Sequence, residues 1–315
     1  MQGRRDYREQ IPKLLRMALQ EKSMSSARRT LLFALSAAAL TASQSLAQTS
    51  DHDWAKTYTI AGKPSLTVET SDSNLKIQSC GECKAINIKV HSTRNLSDYR
   101  LEESQSGDHV SFLFKEKPHI GVHVSWHNRE ETSVVVETPG TLDLDAKTSD
   151  GNLSARDLQG ELQVHTGDGN ADLDNLRGNI RLKSGDGNLT LKNASGTLDA
   201  HSSDGHMKVD GNFSAIQLHS SDGGLDFALA DGAKLTAASR IESSDGTVTI
   251  RVPHDFAADL DISTSDGHID CSLPLTMDHY DSREGSGHHM HGKVNAGGVP
   301  LSIHTSDGNV TISSL

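Results

Sequence analysis

Eight aspartates are the residues whose type and spacing most suggest chemistry. The tetrapeptide [ST]-[SG]-D-G sets them at Asp150, Asp168, Asp186, Asp204, Asp222, Asp245, Asp266 and Asp307, and Ser71-Asp72-Ser73-Asn74 reads as a degenerate earlier copy. Four consecutive intervals are eighteen residues long, and those that follow are 23, 21 and 41. Two readings of these carboxylates stand side by side. In the first, each carboxylate accepts backbone N–H groups in a turn, the next Gly supplies positive φ, and the preceding Ser or Thr adds a ladder of hydroxyls. In the second, carboxylates stacked one coil apart hold a divalent cation. Unit charges about 5 Å apart repel by roughly 3 kcal/mol at an effective dielectric of 20, and Ca2+ suits carboxylate and carbonyl oxygens. Nonapeptide calcium rolls also close a coil in eighteen residues, but their Gly pairs are absent here.

Histidine and cysteine supply the other candidates. His165, His201, His219 and His304 each stand three residues before a repeat Asp, a position that alternation turns outward, and His201 and His219 are expected to be neighbours. Lys183, Glu242 and Ser263 fill the same place elsewhere, so the column reads as a solvated face. His288, His289 and His291, with His279 nearby, could hold Zn2+ or Cu2+ as a histidine cluster. Cys80-Gly81-Glu82-Cys83 reads as a local disulfide pinning a hairpin turn. No thioredoxin-like context surrounds it, and Lys84 stands where haem attachment needs His. Cys271 takes the same inward place as Ile250 and Ile312, that of a buried free thiol. No G-x-S-x-G, H-E-x-x-H, P-loop or dinucleotide fingerprint is present. No catalytic residue and no cofactor is therefore assigned, the candidate ions being Ca2+ on the Asp column and Zn2+ or Cu2+ on the histidine cluster.

The elements that position these residues follow from period-two alternation. Three and five residues after the Asp come Leu153/Ala155, Ala171/Leu173, Leu189/Leu191, Met207/Val209 and Leu225/Phe227, and Leu162/Val164, Ile180/Leu182 and Ile216/Leu218 precede later copies. Such alternation means strand, with the apolar members on one face. Gly160, Gly178 and Gly196 fall between the two pairs, natural sites for positive φ at a turn. A unit of strand, turn, strand, turn in eighteen residues is one coil of a parallel β-solenoid. A meander or propeller is the rival architecture. Aliphatic columns between two sheets explain how 4% aromatic and 34% hydrophobic residues suffice for a core. Residues 48–147 read as an N-terminal β-rich cap, 148–315 as the repeat domain, and 276–299 as an exposed loop inserted in it. Strands after Val310 would end the stack and could pair with a second copy, so a homo-oligomer is possible.

Residues 1–47 read as address. Arg28-Arg29, the apolar run Leu31–Leu40 and Ser45-Leu46-Ala47 form a secretory signal peptide whose natural start is Met24, with 1–23 an over-extended beginning. The expected location is therefore outside the cytoplasm: periplasm, outer surface or medium. Residues 1–47 carry eight Lys/Arg against three Asp/Glu, so the formal charge of −12 becomes −17 without them. Phosphate backbones repel such a chain, which excludes nucleic acid as a natural partner. No run of eighteen apolar residues appears, so a membrane-spanning helix is not expected.

The S-D-G-x-[VLI]-x-[VLI] repeats, led in by Val134-Val135-Val136-Glu137-Thr138-Pro139 behind a signal peptide, resemble the bacterial "putative adhesin" domain of unknown function. The resemblance spans about residues 57–315 and is strongest over 134–275. It implies a right-handed, β-solenoid-like fold, export or surface association, and no established catalysis. The combined expectation is an all-β, exported, non-catalytic adhesin or envelope-binding protein, with an unknown surface or envelope component as partner. The alternatives are a Ca2+-binding envelope protein using the Asp column, and a polysaccharide-active β-solenoid enzyme.

Overall fold

Four fourteen-residue strands, Leu153–Thr166, Ala171–Ser184, Leu189–Ser202 and Met207–Ser220, set the architecture. They pair in parallel, with Leu162 beside Ile180, Leu198 and Ile216 in one column. The computed structural model describes residues 47–118, 131–282 and 288–315. The expected leader up to residue 46 lies outside these residues, as does His119–Trp126, a further segment of the expected β-rich cap whose sequence reads as strand.

Each coil was expected to hold two strands with a turn between them. Instead the strand runs through a corner. Asp157, Asn175 and Asn193 adopt φ of 59°, 53° and 53°, and Gly160, Gly178 and Gly196 follow at 142°, 113° and 121°. Asx residues and Gly are the types that enter this region at low cost. The corner shifts the alternation by one: Leu153 and Ala155 are buried before it, Leu162, Val164 and Thr166 after it. Each coil thus feeds two parallel ladders whose inward side chains join one hydrophobic cluster. Burying a Leu or Ile there contributes about 1.5–3 kcal/mol.

The stacking order departs from chain order at both ends. In the first ladder, Leu225–Leu229 is followed by Val248–Val252, then Val310–Ser314, then Ile269–Cys271. In the second, Ser239–Ser243 is followed by Pro300–Thr305, then Ala258–Thr264. The last strands of the chain are therefore interior rungs, paired on both sides. The expectation that strands after Val310 offer a free edge is corrected on this point. At the other end Ser65–Thr70 lies between His109–Glu116 and Asp143–Thr148, and Asn74–Ser79 lies between Thr132–Thr138 and Leu153–Thr166. The parallel stack accordingly begins well before residue 148, and the described residues from 47 onward belong to one compact unit.

Antiparallel strands close most of the ends. Ala85–Ser92 and Asp53–Thr59 extend the first ladder, and the polar Tyr99–Ser106 covers the second. Charged edge residues such as Glu102 and Glu103 discourage further pairing. The insertion read as a loop over 276–299 holds two strands, Leu275–Ser282 and His288–Val294. They pair antiparallel with each other, and the second pairs with Ala258–Thr264. Its alternating Met290, Gly292 and Val294 are buried, which is the apolar signal that the surrounding His and Gly masked. The scarce aromatics pair within the core: Trp54 meets Phe112 at 5.2 Å and Tyr99 stacks on Phe114 at 4.6 Å at the N-terminal end, and Phe213 lies 6.2 Å from Phe227 further along. Among the described residues no helix is long and apolar enough to cross a membrane.

Candidate functional site

The S-D-G turns stack directly, and three of their four positions are structural. The first residue of the tetrapeptide is buried. Ser184, Ser202, Ser220 and Ser243 donate Oγ–H to the carbonyls of Gly187, Gly205, Gly223 and Gly246 at 2.7, 2.9, 2.6 and 3.1 Å. The backbone N–H groups of Asp168, Asp222 and Asp245 donate to carbonyls of the preceding coil at 2.9–3.0 Å. The turn glycines were expected to supply positive φ, and they do not. They are required because a β-carbon on Gly169, Gly187, Gly205 or Gly223 would overlap the carbonyl oxygen of the glycine one coil away.

The repeat carboxylates themselves are exposed at all eight positions. The turn reading gave them backbone N–H partners. That role belongs instead to the next residue but one, which sequence reasoning missed. Asn170 and Asn188 receive on Oδ1 the N–H of Asn188 and His206, both at 3.0 Å, and Asn152 receives that of Asn170 at 3.0 Å. The recurrence of Asn after D-G at 152, 170, 188 and 309 was the signal for this ladder. Asp72, in the degenerate outer copy, differs from the rest. Partial burial, then the nearby Asp150 and Glu116, hold its carboxyl above the usual range.

The metal-binding candidates are not assembled into a centre. Among the described residues, no three His, Cys, Asp or Glu side chains are grouped to hold an ion. His288, His289 and His291 sit on a strand, so alternation sends His289 and His291 to one face and His288 to the other. His289 Nε2 lies 2.6 Å from Asp261 Oδ1, and the His288 ring meets His268 edge-on at 5.8 Å. Cys80 and Cys83 are bonded, with Cα atoms 5.8 Å apart, where the chain leaves the first ladder. Cys271 is half-buried beside Ile312, and that burial pushes its thiol up.

What the register does bring together lies on the outer face of the second ladder. Lys147, His165, Lys183, His201 and His219 occupy one row on five adjacent strands. The His201 and His219 rings are neighbours, 5.7 Å apart. A groove of about 750 Å³ lies over Lys147, His165, Lys183 and His201 of this row, lined also by Arg181 and by the carboxylates of Glu69, Asp145, Asp150, Asp168 and Asp199. Most carboxylates on the face are already paired: Asp145 with Lys147 at 3.1 Å, Asp199 with His201 at 3.2 Å, and Glu161 with Arg181 at 3.5 Å. Lys183 has no acidic partner among the described residues. Partial burial, then Lys183 and Lys147, holds the His165 imidazole below its ordinary value, with Asp145 opposing.

Stacked hydroxyl, glycine and asparagine columns between two parallel ladders define a β-solenoid-like repeat protein. The chain belongs to the Toastrack DUF4097 family, whose sequence model matches residues 64–313. The resemblance drawn from the S-D-G repeats points the same way. Among solved structures, the chain is similar to a "putative lipid binding protein" of Parabacteroides distasonis, at 13% identity and a TM-score of 0.49, covering 83% of this chain and 97% of that one. A "putative adhesin" of Bacteroides fragilis gives 12% identity and a TM-score of 0.35, over 84% and 98%. A "putative cell adhesion protein" of Clostridium sporogenes gives 10% and 0.25, over 83% and 99%. At these scores the likenesses decide nothing about function. Comparison with curated proteins finds no match.

Proposed function

We propose that this chain is exported and serves without catalysis as an adhesin-like protein, holding a surface or envelope component on the outer face of its second ladder. The observation that carries the reading is the groove across Lys147, His165 and Lys183. It is built from side chains on adjacent strands whose spacing is fixed by the stacked turns beneath. A face of this kind is rigid, so a partner binds without ordering it first.

The divalent-cation reading retains one observation in its favour, the column of exposed repeat carboxylates. Among the described residues it lacks a point on which three ligands converge.

The test is expression of the full chain in a bacterial host, N-terminal sequencing of the exported product, and its titration onto isolated envelope. The expected result is a mature N-terminus at Gln48 and saturable binding. Retention in the cytoplasm, or no saturable binding, would overturn the proposal.

A further inference from the structure

The two ends of the stack are steps, and the steps are equal. Outside the coil of His109–Glu116 and Thr132–Thr138, the first ladder adds three strands, Ala85–Ser92, Asp53–Thr59 and Gln48–Thr49, and the second adds one, Tyr99–Ser106. Outside the coil of Ala258–Thr264 and Ile269–Cys271, the second ladder adds two, His288–Val294 and Leu275–Ser282, and the first adds none. Among the described residues, then, the first ladder overhangs by two strands at one end and the second by two at the other. A second copy set end to end in the same orientation meets both ladders at once. Two copies joined by like ends would leave one ladder short by two strands from each copy.

Strand direction agrees with this fit. Tyr99–Ser106 runs against the parallel stack, whereas Leu275–Ser282, reached through two antiparallel pairings, runs with it. On the first ladder Gln48–Thr49 runs against the stack and Ile269–Cys271 with it. Both junctions between copies would therefore be antiparallel, the pairing that is slightly more stable per residue. Among the described residues each of these four strands is paired on one side only. Each keeps a row of unpaired N–H and C=O groups, a template for another chain.

The residues of the longer edges select the partner. Tyr99–Ser106 and Leu275–Ser282 both have eight residues. Overlapped from end to end, Arg100 falls opposite Asp281, Leu101 opposite Tyr280 and Glu102 opposite His279. Opposite charges across a strand pair stabilise it and like charges destabilise it. The acids that turn away other strands at this edge thus admit this one. Glu103 falls opposite Asp278 but is already paired with Lys56. The bulge between Met277 and His279 ends the matched stretch. Met277 itself is one of two large apolar side chains left exposed among the described residues, and a covering copy would bury it.

We infer that the protein assembles head to tail with further copies of itself, Leu275–Ser282 of one copy adding to Tyr99–Ser106 of the next. The contact joins two different surfaces by a displacement along the stack, so it builds an open series. It concerns the ends of the ladders and is independent of what their outer faces hold.

The experiment is sedimentation velocity on the exported, purified chain at rising concentration and low ionic strength, where charges are least screened. It compares the unaltered chain, Arg100→Glu, Asp281→Lys and a one-to-one mixture of these variants. The mean mass of the unaltered chain is expected to climb past that of a dimer without levelling. Each reversal alone sets like charges opposite each other and is expected to weaken association at least tenfold with an unchanged Tm. The mixture is expected to restore it, because its junctions can all pair opposite charges. An unaltered chain that stays monomeric at every concentration, or whose mass levels at a dimer, would overturn the inference. So would reversals that leave association unchanged, or a mixture that associates no better than its components. The arms with the unaltered chain and Arg100→Glu decide even if Asp281→Lys fails to fold.

Discussion

Gly187 lies against Gly169 of the neighbouring coil so closely that a β-carbon on Gly187 would occupy the space of the Gly169 carbonyl oxygen. The obstructing atom is backbone and is itself held in the turn stack, so it cannot yield as a flexible side chain would. Gly187→Ala is expected to cost about 3 kcal/mol or more, at the upper end for overpacking. Asp186→Asn, one residue away but exposed, is expected to fall within about 0.5 kcal/mol. Urea unfolding of the two variants checks both. A tolerated alanine would show that the turns do not fix the coil spacing.

The buried hydroxyls make a similar claim at smaller scale. Ser220 Oγ donates to the Gly223 carbonyl at 2.6 Å in a fully buried site. Ser220→Ala leaves that acceptor without its donor and is expected to cost about 1–2 kcal/mol, read as a shifted denaturation midpoint with unchanged slope. Ser220→Thr is expected to be milder, since Thr fills the equivalent place at 148, 166, 264 and 305.

The C-terminal strands lie between coils that precede them in the chain. Removing residues 300–315 takes away the shared partner of Ser239–Val252 and of Ala258–Cys271. Truncation after Val299 is expected to loosen both flanking coils, raising hydrogen exchange over 239–271 while Leu153–Ser202 stays protected. Exchange confined to the new terminus would contradict the interleaved order.

Asp72 provides a pH signature. Its carboxyl is held above the usual range by partial burial and by Asp150 and Glu116. The folded state therefore binds the proton more readily than the unfolded chain, and Asp72 weakens the fold as pH rises through its raised pKa. Asp72→Asn is expected to stabilise at neutral pH by on the order of 0.5 kcal/mol, the scale of a relieved surface contact. The gain should vanish below about pH 4, where the unfolded carboxyl is also protonated. Thermal scans of the two proteins from pH 3.5 to 7.5 measure it, and a gain at low pH would reverse the sign.

Periodicity made the coil legible because burial in a two-ladder stack writes itself into alternate residues: Leu162, Ile180 and Ile216 could be matched by counting. The corner at Asp157–Gly160 was half legible, Gly160 being visible as a positive-φ site and Asp157 not, since Asx residues enter that region only sometimes. The role of Gly187 was misread because close backbone approach is a property of two coils, whereas a turn preference belongs to one. The order of the last coils was hidden for the same reason. Val310 and Ile312 carry the inward pattern of any rung, and nothing local says which rung they join. Of the groove around His165, the sequence pattern singled out His165, Lys183, His201, Asp150 and Asp168 but not Lys147 or Arg181, and which acids are paired appears only with side chains in place.

The most direct test of the account is whether the second ladder's outer face is the binding surface. Binding isotherms of the exported chain on isolated envelope would compare two double variants, Lys147→Glu with Lys183→Glu, and Lys192→Glu with Lys208→Glu. They change net charge equally on opposite ladders. The account predicts at least a tenfold loss for the first pair, little change for the second, and similar Tm values for both. Equal losses, or a loss confined to the second pair, would contradict it.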